Sequence, residues 1–386
     1  MNKEQLQTVI DSIRPLDKQA YTRAEERQAA LVKPPGSLGQ LEAMSIRLAG
    51  ITGKVKNEFS KPAVLIMAAD NGVVAQGISS APQSVTISQT INFTRRLTGV
   101  GALARTFDVD LLVTDVGINA AVPAALRTDD TREQHRGRIL DRKVAMGTKD
   151  LSLGSAMTEE EALQAMAAGC EVVQDAAMAG YDLIGLGEMG IGNTTTSTAI
   201  LAALTDVDPA AVTGRGGGLT DACLARKIDI IKEAASDGRR ILAKVATAAA
   251  SDPADAMLSL FARCGGFDIC AMTGAYLQAA ALHLPVVIDG YISVVSALCA
   301  ATLAPRAAEY MFASHVSEEP GYLAAIRRLG LHPVLDMDMR LGEGSGCILA
   351  FQLLRAACGV MNHMATFAEA DINDDYLAEI RKGGCF

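Results

Sequence analysis

Basic charge is in short supply: 35 lysines and arginines face 44 aspartates and glutamates, so the 386-residue chain carries a formal charge of −9. A phosphate backbone calls for a basic surface, so nucleic acid is not expected as the main partner. Tryptophan is missing and aromatic residues make up only 4%. The eight cysteines form no C-x-x-C pair, which leaves no zinc knuckle or dithiol redox motif. The five histidines show no H-x-x-x-H or Cys/His spacing, and no metal is expected. The N-terminal stretch, MNKEQLQTVIDSIRPLDKQ, has no apolar core of a secretory signal. Of the charge-free windows, Ile269–Ile288 is broken by Gly274, Gln278, His283 and Pro285. It reads as strand–helix–strand rather than as a membrane span. Together these absences predict a cytoplasmic protein with no membrane partner.

What is present is ample for a buried core: hydrophobic residues make up 49% of the chain. Leu6, Ile10 and Ile13 recur at helical steps, and Lys33-Pro34-Pro35-Gly36-Ser37-Leu38-Gly39 interrupts before a second helix from about Leu41. From residue 61 short apolar runs end in Gly, Asp or small polar residues, with helical stretches between them. These runs are Ala63–Ala69, Leu111–Val116, Asp182–Gly185, Phe267–Met272, Pro285–Ile288 and Met311–Ala313. Unalternating apolar strands divided by helices predict an α/β fold with a parallel sheet covered on both faces. Ligands bind such sheets beyond the carboxyl ends of the strands. After Gly346 a long apolar-periodic helix is expected, and the helical termini are expected to pack together. Residues 127–143 mix six cations with four acids, which suits either an anion-collecting flap or a solvated loop. The mixed signs favour the loop.

Three glycine-rich segments carry candidate chemistry. Gly185-Leu186-Gly187-Glu188-Met189-Gly190 is a literal G-x-G-x-x-G, and Gly192-Asn193-Thr194-Thr195-Thr196 leads into a helix. Exposed helix N–H groups and hydroxyls there suit a phosphate. A dinucleotide site would add an acid about twenty residues on; Asp206 and Asp208 have the spacing but sit in a turn sequence. A Walker A loop would need a lysine that is not here. Thr213-Gly214-Arg215-Gly216-Gly217-Gly218 is a second cluster, with Lys227 in the following helix, and the two segments together suggest one phosphate pocket. Gly342-Glu343-Gly344-Ser345-Gly346 sets a carboxylate between glycines, either a solvated helix-start acid or a general base in a ligand-approachable turn. Ser314-His315-Val316-Ser317 ends a predicted strand. Asp336 and Asp338 point to one face without further ligands.

In this order the segments resemble the nicotinate-nucleotide:dimethylbenzimidazole phosphoribosyltransferase family of cobamide lower-ligand assembly. The matching stretches are KPPGSLGQLE (33–42), AADNGVV (68–74), TDVGI (114–118), GLGEMGIGNTTT (185–196), GGFDICAMTGAYL (265–277), VVIDG (286–290), SHVSEEPG (314–321) and RLGEGSG (340–346). The resemblance implies phosphoribosyl transfer from nicotinate mononucleotide to an aromatic base, without a cofactor. It implies Glu343 as general base, and a phosphoribosyl site built from Glu188, Gly190, Gly192, Asn193, Thr194, Gly214, Gly216, Lys227 and Ser317. Gln89 and Leu341 match positions around the base. Family members often carry Asp-His-Gly where this chain has Asp70-Asn71-Gly72, and serine where Ala81 precedes Pro82, so Asn71 and Ala81 are expected to tune the base accepted. The family also implies a homodimer with a Rossmann-like large domain (59–346) and a small helical domain from both termini (1–58 and 347–386). Two other readings remain on residues alone: a nicotinamide-dinucleotide oxidoreductase, resting on the G-x-G-x-x-G, and a non-catalytic nucleotide-binding module.

Overall fold

The computed structural model describes residues 1–247 and 252–377; Cys385 and the end of the expected small domain lie outside the described residues. Three helices open the chain: α1 (Lys3–Ser12), α2 (Lys18–Ala30) and α3 (Gln40–Thr52). The first strand, β1 (Pro62–Ala69), leads to α4 (Ser84–Thr94), α5 (Gly99–Phe107) and β2 (Asp110–Gly117). The charged segment supplies two short strands, β3 (Arg127–Thr128) and β4 (Ile139–Asp141). Next come α6 (Glu159–Met178), β5 (Leu183–Met189), α7 (Asn193–Thr205), α8 (Pro209–Val212), α9 (Asp221–Ala246), α10 (Pro253–Cys264) and α11 (Phe267–Ala281). The remainder is β6 (Val286–Ile288), α12 (Tyr291–Leu303), β7 (Met311–Ala313), β8 (His315–Ser317), α13 (Tyr322–Leu329), β9 (Leu335–Met339) and α14 (Ser345–His363).

Seven strands form one sheet in the order β3-β4-β2-β1-β5-β6-β7, every pair parallel. β1 is buried along all eight residues, the mark of a strand covered on both faces. The chain winds from β1 outward to β2 on one side and later returns to β5 on the other. The switch point between β1 and β5 therefore opens a crevice beyond their carboxyl ends, where such sheets bind ligands.

Phe267–Met272 is not a strand, as its apolar run suggested, but the first part of α11. Fourteen of the fifteen α11 residues are buried, so helical periodicity leaves no polar stripe to distinguish it from a central strand. The window Ile269–Ile288 is thus helix, turn and strand. The charged segment 127–143 is structured as a sheet edge, with Arg127 paired to Asp141, Arg132 to Asp130, Arg142 to Glu171 and Lys143 to Asp115.

At the termini, Val32 and Phe367 donate backbone hydrogen bonds to Ala365 and Ala30, while Ala24, Ala49 and Met361 share a small apolar cluster. α14 is long and apolar enough to cross a membrane. It packs on the sheet instead, with Cys347 and Phe351 against Gly185 of β5.

Candidate active site

A cavity of about 350 Å³ lies at the β1/β5 switch point. Its base is the end of β5, where Glu188 is followed by Gly190, Ile191 and Gly192 before α7 begins. Asn193, the first residue of α7, donates from Nδ2 both to Glu188 Oε2 and to Asp268 Oδ2, the latter at 3.0 Å. Burial pushes the Glu188 carboxyl up to about 8, and the neighbouring Asp268 adds to this. Asp268 is itself pushed up by burial to about 7.

The wall beside α7 contains a buried cation. Lys227 reaches from α9 to donate to Thr194 Oγ1 (2.8 Å) and to the Gly214 carbonyl (3.1 Å). Only 1% exposed, its ammonium is pulled down to about 8 by burial, against the opposing charge of Glu319. Gly216 lines the cavity with Lys227, whereas Gly214 contributes the carbonyl that holds the lysine. Ser317 completes this wall and accepts the Glu319 N–H at 3.4 Å. The N-terminus of α7, the loop at Gly216 and Lys227 thus converge on one end of the cavity, a set of donors suited to a phosphate monoester.

Glu343 also lines the cavity, its turn lying against Gly187 of β5. Three consecutive residues, Gly342, Glu343 and Gly344, have φ of 83°, 64° and 87°. Two of them are glycines because the left-handed region costs glycine nothing, but a glutamate there is strained. The turn is clamped from behind by Asp289, which accepts the N–H groups of Gly344 (2.9 Å) and Gly346 (2.7 Å). Held this way, Glu343 accepts Gln89 Nε2 at Oε1 and the Val100 N–H at Oε2, both at 3.2 Å. Burial raises its pKa, and the Val100, Gln89 and Gly99 donors oppose the shift.

The residues expected around a base divide. Gln89 and Ala81 line the cavity, and Leu341, 57% exposed, stands at its mouth. Asn71 does not line it. It is fully buried behind Gly190 and Gly192, and neither side-chain polar atom has a hydrogen-bond partner among the described residues. His315 is buried behind the Glu343 turn, and burial lowers its pKa to about 4. It is therefore neutral, and its 4.0 Å approach to Asp289 is not an ion pair.

Sequence reasoning singled out none of Asp268, Asp289 and Glu319. Asp289 did end a predicted strand in VVIDG, which places it among ligand-facing positions. Asp206 and Asp208, spaced for a dinucleotide ribose, cap the C-terminal end of α7 and the start of α8. They do not end a strand, and Gly185 and Gly187 lie inside β5 rather than in the turn after it, so the G-x-G-x-x-G on which the oxidoreductase reading rests does not form a dinucleotide-binding turn.

A doubly wound parallel sheet whose switch-point cavity is lined both by donors suited to a phosphate and by a buried carboxylate is an arrangement that suits an enzyme acting on nucleotides. The chain belongs to the phosphoribosyltransferase family, whose model matches residues 13–372. It is 44% identical over 381 residues to the nicotinate-nucleotide–dimethylbenzimidazole phosphoribosyltransferase of Clostridium perfringens, covering 99% of both chains. It is 45% identical over 376 residues to the Chloroflexus aggregans enzyme of the same name, covering 96% of this chain and 98% of that one. The crystal structure of the Thermus thermophilus enzyme of that name superposes with a TM-score of 0.81 at 39% identity, over 93% of this chain and 99% of the other.

Proposed function

We propose that this phosphoribosyltransferase moves the 5-phosphoribosyl group of nicotinate mononucleotide onto a ring nitrogen of an aromatic base such as 5,6-dimethylbenzimidazole. The products are nicotinate and an α-nucleotide 5′-phosphate for a cobamide nucleotide loop. The observation that carries this reading is Glu343, a carboxylate held in a strained turn by two donors and lining the same cavity as Lys227, Thr194 and Gly216.

Each part has a chemical task. The phosphate end of the donor lies on Gly190, Gly192, Asn193, Thr194, Gly216 and Ser317, with Lys227 supplying the charge. The C1′–nitrogen bond of the pyridinium donor is already activated, because nicotinate leaves as a neutral ring nitrogen. The incoming imidazole must lose its N–H proton as its other nitrogen attacks C1′, and Glu343 takes that proton. Glu188 sits where positive charge passes through the sugar. The pyridinium of a bound donor favours its ionised form, and the anion then stabilises an oxocarbenium-like transition state. Attack opposite the leaving group turns a β-nucleotide into an α-nucleotide. The base rests among Gln89, Ala81 and Leu341 in a slot with few polar contacts.

The small helical domain of this reading comprises residues 1–58 and 347–386, of which 378–386 lie outside the described residues; the backbone pairing of Val32 with Ala365 and of Phe367 with Ala30 supports it. The enzyme works in the cytoplasm as a homodimer. Incubation with nicotinate mononucleotide and a panel of aromatic bases, followed by mass spectrometry, tests the activity. Products heavier than each base by one phosphoribosyl group support the reading, and binding without such products overturns it in favour of a non-catalytic module.

A further inference from the structure

Outside the catalytic cavity, arginines gather in one concave place. Arg95 and Arg96 follow the last residue of α4, and Arg105 lies in the last turn of α5. Arg138 reaches the same hollow from the charged segment before β4. Together they line a cavity of about 270 Å³ whose floor is Phe93, Leu111 and Val113. It shares no lining residue with the catalytic cavity.

The charges here are not balanced as they are elsewhere in the segment. Arg127, Arg132, Arg142 and Lys143 each face a carboxylate. Of the four cavity arginines, only Arg96 does so, pairing with Asp110 at 3.2 Å. Asp110 is further engaged by the Tyr181 hydroxyl at 2.8 Å. The side chains of Arg95, Arg105 and Arg138 meet no carboxylate and make no hydrogen bond among the described residues. Helix dipoles account for cations at the ends of α4 and α5, but Arg138 belongs to neither helix. Guanidinium groups stay charged at any physiological pH. Three uncompensated ones around one hollow repel each other, in a chain whose overall charge is negative.

We propose that this cavity is a second anion site, for a small molecule bearing at least two negative charges on phosphate groups. Guanidinium forks match phosphate oxygens two at a time. The volume is several times the roughly 30 Å³ share of one water, so a diphosphate-sized group fits. The charged segment therefore contributes to anion collection through Arg138, while Arg127, Arg132, Arg142 and Lys143 are paired with carboxylates in the fold.

Inorganic pyrophosphate, titrated calorimetrically at constant ionic strength set with sodium chloride, tests the site. Because the catalytic cradle also suits phosphates, the titration is run on the full chain carrying Lys227→Ala. Saturable binding is expected there, weakened at least tenfold when Arg105→Gln and Arg138→Gln are added, as expected for lost charge-assisted hydrogen bonds. Arg95→Gln, an exposed change, is the second variant should the combined one fail to fold, and it too is expected to weaken binding. No saturable binding in the Lys227→Ala chain, or binding indifferent to the arginine substitutions, overturns the proposal.

Discussion

Glu343 and Lys227 illustrate how a buried charge is made useful at the scale of a single residue. Glu343 is only 5% exposed, and two donors fix its oxygens, so its carboxylate is oriented before a base arrives. Glu343→Gln keeps the side-chain volume and is expected to leave the fold and donor binding intact while lowering turnover by roughly 10²–10⁴, the span for loss of a general base. Near-parental turnover in a folded variant would remove Glu343 from that role. Since a base acts only when ionised, kcat/KM is expected to rise with pH through a limb lying above the ordinary glutamate range, the direction of its shift. That limb should be absent from the Glu343→Gln profile. Lys227 is the complementary case: desolvation weakens its proton affinity, and an incoming phosphate restores it. Lys227→Ala should weaken nicotinate mononucleotide binding about tenfold to a hundredfold, the cost of a charged hydrogen bond, with little effect on the free base. Equal dissociation constants for parent and variant would place the phosphate elsewhere.

At the scale of elements, close approach of backbones sets the positions from which these residues act. α6 and α11 cross so tightly that a Cβ at Gly169 would lie 1.8 Å from the Ala271 carbonyl oxygen. Gly169→Ala must therefore separate the two helices, and an expected loss of about 1–3 kcal/mol is measurable by urea unfolding; an unchanged midpoint would refute the packing. Between β1 and α4, Ala81 lines the cavity whereas Asn71 is sealed behind Gly190. In a mixed-base competition, Ala81→Ser should change product ratios, while Asn71→His should lower the melting temperature, because the larger ring displaces the phosphate loop. The reverse pattern would put Asn71 at the base. The same contrast shows which elements could be read from sequence. β1, β2, β5, β6 and β7 were legible because unbroken apolar runs ended in turn residues. α11 was not, since burial on every side removes its period. The glycine loops announced themselves by composition. Asp268 and Glu319 did not, because each gains its role by meeting a residue far away in sequence: Asp268 meets Asn193, and Glu319 lies opposite Lys227.

Across the whole molecule, the site concentrates acids whose proton affinity the fold raises. Glu188 is pushed up to about 8, and Asp268 and Asp289 to about 7, burial being the first cause in each. A carboxyl whose folded pKa exceeds its unfolded value contributes stability at low pH, and that contribution is lost as pH rises through the folded pKa. His315 acts in the opposite sense, because its folded pKa of about 4 lies below the ordinary 6.5. Its contribution is present above 6.5 and disappears only as pH falls towards 4. Lys227, lowered from 10.5 to about 8, favours the folded state only as pH rises above about 8. Between about pH 6.5 and 8 the buried acids therefore act without opposition from either group. The unliganded protein should melt at progressively lower temperature across that interval. Nicotinate mononucleotide should flatten the decline, because its pyridinium favours the ionised Glu188. Glu188→Gln, which cannot titrate, should show a shallower decline than the parent without ligand and no further flattening with it. A melting temperature level from pH 6.5 to 8 in the unliganded parent would mean that these carboxyls are already ionised in the folded state, and the electrostatic account of Glu188 would fall with it.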